Sequence, residues 1–136
     1  MASGIINNLF FKERTRKGEC MDEQTEGQLH QLNVSIEQAK KMIELGEALD
    51  RLQSNKDFQL LVQKEFLNDF AGQLVRSKSS LGMSAPAQQA YIDNGITAIS
   101  YLDQWFRQTA AEARQAKVDL PADMATVEEI EDEEAN

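Results

Sequence analysis

The chain has one cysteine, Cys20, and one histidine, His30, among its 136 residues. A single thiol excludes an internal disulfide and fits a reducing, intracellular setting. A zinc site needs several His or Cys ligands in tetrahedral reach, and a Cys–His nucleophile pair needs a scaffold that aligns it. Cys20 and His30 lie ten positions apart in a polar leader, and no rigid geometry follows from that spacing. The seven glycines are scattered and compose neither a phosphate-binding loop nor a dinucleotide fingerprint. Carboxylates are abundant, but no Glu-x-x-His pair joins them in the pattern that helical di-metal sites use. Glu44, Glu47 and Asp50 read as the wet face of a helix. The expectation is therefore no catalytic residue, no metal ligand, no cofactor and no small-molecule substrate. Long apolar runs are missing too: nothing approaches the roughly 20 residues needed to span a bilayer. Ile5, Ile6, Leu9, Phe10 and Phe11 precede the nearest basic residues, the reverse of a secretory signal.

Charge is plentiful and unevenly placed. The net charge is −9, yet residues 1–20 carry four bases (Lys12, Arg14, Arg16, Lys17) against two acids (Glu13, Glu19). Residues 119–136 hold eight acids and no base. What lies between is only mildly acidic, so no cationic stripe exists on which a phosphate backbone could displace its counterions. Direct nucleic-acid binding is not expected.

The apolar residues recur at helical spacing. Ser35-Ile36-Glu37-Gln38 has the form of a capping box, after which Ile36, Ala39, Ile43, Gly46 and Leu49 share a face, widened by Met42, Leu45 and Leu52. Gly46 on that stripe costs about 1 kcal/mol of propensity relative to alanine, which predicts close approach of a neighbouring helix. Ser54-Asn55-Lys56-Asp57 breaks and restarts the helix. The next stripe reads Phe58, Leu61, Val62, Phe66, Phe70, Leu74 and Val75, with Leu67 and Ala71 beside it. Residues 77–84 form a second break, and Pro86 suits the first turn of a third helix. That helix reads through Ala87, Tyr91, Ala98, Leu102, Trp105, Thr109 and Ala113, flanked by Ile92, Ile99 and Phe106. Asn94-Gly95 is a turn signal inside it, but the apolar phase crosses it undisturbed and predicts continuous helix.

After Lys117 the pattern stops, and Leu120-Pro121 is expected to close the helix. Val127 and Ile130 are the only branched apolar residues in the acidic end, which lacks the content to fold alone. No regular internal repeat is expected, and no heptad lasting several turns beyond each helix. The reading is all-α: a three-helix antiparallel bundle, or an extended helical hairpin, with an N-terminal arm over 1–33, a helical domain over 34–118 and a flexible acidic tail over 119–136.

Tyr101, Trp105 and Phe106 most simply form the core of such a bundle. The alternative puts Trp105 and Phe106 at a subunit interface, where aromatic anchors carry binding energy. Ile5, Ile6, Leu9 and Phe10 would share one side of a short helix, with Phe11 adjacent and Arg14 and Arg16 following. An arm of this kind suits a groove on a partner, with its apolar anchors giving affinity and its bases orientation. A loosely packed tail is the alternative.

The stretch Ile43-Glu44-Leu45-Gly46-Glu47-Ala48-Leu49-Asp50-Arg51-Leu52, followed by Asn55-Lys56-Asp57-Phe58, resembles a group of small acidic helical proteins of tailed phages. Ala71-Gly72-Gln73-Leu74-Val75 and Ile99-Ser100-Tyr101-Leu102-Asp103-Gln104-Trp105-Phe106 are similar in character. The resemblance covers roughly residues 35–134. It implies three helices and an acidic end, a place among particle-assembly proteins of the virion, and no catalytic residues. The expected function is then a multi-copy virion or assembly protein, assembled in the host cytoplasm, whose partners are other phage structural proteins and further copies of itself. The alternative is a phage regulator that inhibits a host protein, its acidic tail imitating nucleic acid.

Overall fold

A computed structural model describes residues 22–136. The described residues are helical, with no strand among them. Helix α1 spans Glu23–Gln53. Helix α2, over 56–77, is composite: an α-turn Lys56–Phe58, a π-helical stretch Gln59–Phe70 and an α-helical end Ala71–Ser77. A single 3-10 turn, Leu81–Met83, precedes α3, Pro86–Ala135. Among the described residues three helices are thus present where three were read. They fall into two compact units. One contains, among described residues, 22–41 and 116–136; the other is 42–115.

The first correction is where α1 begins. The capping box at Ser35 is helix interior, and the start lies twelve residues earlier, at Glu23. Asp22 supplies the cap: the Thr25 amide donates to its Oδ1 at 2.7 Å, and Glu23 and Glu26 suit the positive end of the helix dipole. Hydrogen bonds from the Thr25 side chain and backbone hold the Asp22 carboxyl below its ordinary pKa. Ser35 loses the competition because Leu29 and Leu32 extend the stripe of Ile36 and Ala39 backwards at alternating steps of three and four. Leu29, Ile36 and Ala39 are buried in the first unit together with Ala116 of α3. Helix therefore occupies residues 23–33 of the segment expected as an N-terminal arm.

The second unit contains the larger core. Leu74, Ile92 and Ile99 are buried together, with Leu67, Ala71, Met83 and Ile96 packed against them. Ile92 is fully enclosed, and burial of one such side chain contributes about 1.5–3 kcal/mol. The turn after α1 forms as its residues require: Asn55 Oδ1 accepts from the Phe58 amide at 3.0 Å, and Gln59 Nε2 donates to the Gln53 carbonyl at 2.7 Å. Gln89 closes the second connection by donating to the Met83 carbonyl at 2.6 Å and the Lys78 carbonyl at 3.0 Å.

Two glycines mark close helix approaches. A Cβ on Gly46 would collide with the Ala113 Cβ, as its place on the stripe predicts. A Cβ on Gly95 would lie 3.0 Å from Leu74 Cδ1, so the Asn94-Gly95 signal marks a packing contact inside a helix and not a turn. Gly27, by contrast, faces open space.

The phases of α2 and α3 differ from the sequence reading. In the π-helical stretch each turn holds more residues than an α-turn, and the half-buried positions Phe58, Val62, Gln63, Leu67 and Ala71 line the inner side of the helix. Phe58, Val62, Leu67 and Ala71 follow at steps of four or five. That winding leaves Leu61, Phe66, Phe70 and Val75 exposed, although all four belong to the predicted stripe. In α3 one inward row runs Ile92, Gly95, Ile99, Leu102, Phe106, Thr109, Ala113 and Ala116, then Leu120, Asp123, Val127 and Ile130, with Ile96, Asp103, Ala110 and Thr126 half-buried beside it. Three and four alternate without a slip, which is heptad spacing. Tyr91, Ala98, Tyr101 and Trp105, read as inward, point out. The same continuity explains the end of α3. Pro121 sits inside the helix at a cost of about 3 kcal/mol for the missing donor and the clash, yet the stripe resumes beyond it, and 119–135 is helical where a flexible tail was expected.

The glycines yield opposed outcomes. Gly27→Ala raises stability by about 0.5–1 kcal/mol through lost unfolded-state entropy. Gly46→Ala lowers it by about 1–3 kcal/mol through overpacking. Urea unfolding of the two variants, with slopes compared to the parent, reads both signs.

Candidate protein interface

Charge divides between the two units. The described residues of the first hold twelve acids against three bases, and the second holds nine against seven. The nearly neutral second unit is also where apolar surface lies open.

An open groove of about 640 Å³ runs between α2 and α3 in that unit. The winding of α2 brings Leu67, Ala71 and Val75 to one wall, and α3 supplies Ile96, Ile99, Phe106 and Ala110 to the other. Gln53, Gln63, Asn68, Asp103, Arg107 and Arg114 form its polar part. Arg107 Nε pairs with Asp103 Oδ2 at 3.0 Å, an exposed i,i+4 contact that contributes little stability but fixes where the charge stands. Phe58 meets Phe106 edge to face with centroids 5.8 Å apart. Phe66 and Phe70 stack on each other at 5.9 Å and are exposed. Apolar and polar side chains line the groove in equal number, a mixed surface that accepts an amphipathic helix with both apolar and polar contacts.

In the first unit, a second concavity of about 430 Å³ lies along one face of α1, lined by His30, Asn33, Val34, Glu37, Gln38 and Lys41. Lys40 pairs weakly with Glu37 at 3.5 Å. Among the described residues no three His, Cys, Asp or Glu side chains gather as a metal site, and no helix is long and apolar enough to cross a membrane.

Of the candidate partner-binding residues, Ile5, Ile6, Leu9, Phe10, Phe11, Arg14 and Arg16 lie outside the described residues. Trp105 is exposed and Phe106 half-buried, their rings 5.6 Å apart. The aromatic cluster is therefore not the core that its spacing suggested. Tyr101 and Trp105 stand on the surface, and Phe106 alone of the three turns inward. Sequence reasoning missed the groove and the Phe66–Phe70 pair. Val62, Phe66, Phe70 and Leu74 follow at steps of four along the chain, but nothing in that spacing signals π-winding.

No protein-family profile, curated protein or solved structure matches this chain.

Phe66 and Phe70 are 38% and 40% exposed, so more than half of each is still covered. The double substitution Phe66→Ala, Phe70→Ala lowers the thermal midpoint, but by less per ring than full burial would cost, and Ile99→Ala lowers stability by about 2–5 kcal/mol. Calorimetry of the two variants makes the comparison.

Proposed function

We propose that this protein is a non-enzymatic, multi-copy component of a tailed-phage particle, or of its assembly, and that it works by docking on other proteins. The open groove between α2 and α3 carries this reading, because apolar walls interleaved with as many polar and charged side chains suit an amphipathic partner helix. The stacked Phe66 and Phe70 add exposed aromatic surface of the kind enriched at interfaces. The resemblance of residues 35–134 to small acidic phage proteins supports the particle setting. A three-helix bundle over 42–115, with the helices running antiparallel, is the arrangement we assign to the part that docks. Portal, capsid, connector and ejected internal proteins are the candidate neighbours.

The leader supplies a second contact. Its apolar cluster (Ile5, Ile6, Leu9, Phe10, Phe11) and the following Arg14 and Arg16 are the anchors and orienting charges of an arm that inserts into a partner. Deletion of residues 1–12 leaves the helical circular-dichroism signal nearly intact and abolishes incorporation into purified particles, measured by mass spectrometry against the portal and capsid. Normal incorporation of that truncation contradicts the arm. Absence of the full chain from particles contradicts the whole reading.

A further inference from the structure

Helix α3 carries a second, uncharged row rich in aromatic rings, and this one faces solvent. Ala87, Tyr91, Asn94, Ala98, Tyr101 and Trp105 follow at steps of four, three, four, three and four, and all six are exposed. Both tyrosines and the sole tryptophan of the chain lie on it. Their exposures are 71%, 68% and 54%. No member of the row is charged. From Pro86 to Leu102 the only charged residue is Asp93, and Lys78 Nζ neutralises it at 2.7 Å. The row belongs to a different side of α3 from the groove residues Ile96, Ser100, Asp103 and Arg107.

Alternating three- and four-residue steps are what a partner helix packs against. The order of residues in this row narrows the partner further, because it complements its own reverse. Laid antiparallel about a two-fold axis between Asn94 and Ala98, Ala87 meets Trp105, Tyr91 meets Tyr101 and Asn94 meets Ala98. Each large ring then meets a small residue or a ring of its own kind, and the step pattern reads the same in both directions. Isologous two-fold contacts need this self-complementarity. Charge points the same way. Two copies at −9 each repel one another, and an uncharged row lets them touch without placing like charges in contact.

We infer that this row is the dimer seam of the protein and that its occupant is α3 of a second copy, antiparallel. The inference deepens the proposed multi-copy role and rests on it only for biological setting. The seam runs about 27 Å at 1.5 Å per residue. At the observed exposures the three rings offer roughly 300–500 Å² per copy. The pair therefore buries roughly 600–1,000 Å² before its small residues are counted, at or below the ~1,200 Å² where stable interfaces begin. The dimer is weak and comes apart on dilution.

The test uses the purified full chain. Sedimentation equilibrium over a wide concentration range gives a monomer–dimer equilibrium for the parent, and Tyr101→Lys loses the dimer while keeping the parent's helical signal. Tyr91→Lys serves as the second variant should the first misfold. In a Cys20→Ser background, separately tagged Asn94→Cys and Ala98→Cys chains cross-link when mixed and oxidised, and neither cross-links efficiently with itself. A parent that stays monomeric throughout, a dimer that survives both lysine variants, or cross-linking only between like positions overturns the seam. A monomeric chain that still enters particles removes the dimer and leaves the particle reading standing. A dimer absent from particles does the reverse.

Discussion

The phase of burial along α3 constrains the rest of the unit over 42–115. Twelve positions from Ile92 to Ile130 turn inward at alternating steps of three and four, and a shift of one residue would exchange that set for the aromatic row. Two contacts resist such a shift. At Gly46 the Ala113 methyl group occupies the space where a side chain would stand, and at Gly95 the end of the Leu74 side chain lies in tight contact with that space. Interiors packed to crystal-like density do not accommodate an extra carbon without displacement. The glycines thus set which side of α3 faces its neighbours, and the position of the groove and of the exposed tyrosines follows.

Much of this was legible in the sequence, and the reasons differ from element to element. Asn55 and Pro86 act locally, through one hydrogen bond and one fixed dihedral, so both helix starts were readable. Gly46 was readable because an unfavourable residue on a strongly apolar stripe calls for a contact. The capping box at Ser35 misled because caps form only where a helix must begin, and Leu29 and Leu32 had already extended the apolar face. Pro121 misled for a related reason: a local cost is outweighed when burial continues on both sides of it.

The side of α3 was the harder matter. Two apolar rows run along the same helix one residue apart, Ile92-Ile99-Phe106 and Tyr91-Ala98-Trp105, and periodicity alone ranks them by bulk. Bulk favoured the aromatic row, whereas the β-branched row is the one that packs. The π-winding of α2 had no sequence signal, and it alone turns Leu67 inward and frees Phe66 and Phe70. The groove depends on that winding, which is why Phe106 alone of its wall residues stood among the sequence candidates.

Thiol reactivity measures the phase of α3 most directly. In a Cys20→Ser background, at dilution, single cysteines at Ala98 and Tyr101 react with a soluble maleimide at nearly the rate of the unfolded chain. Those at Ile92 and Ile99 react orders of magnitude more slowly. Protection of the first pair with rapid labelling of the second, or equal rates at all four, contradicts the account.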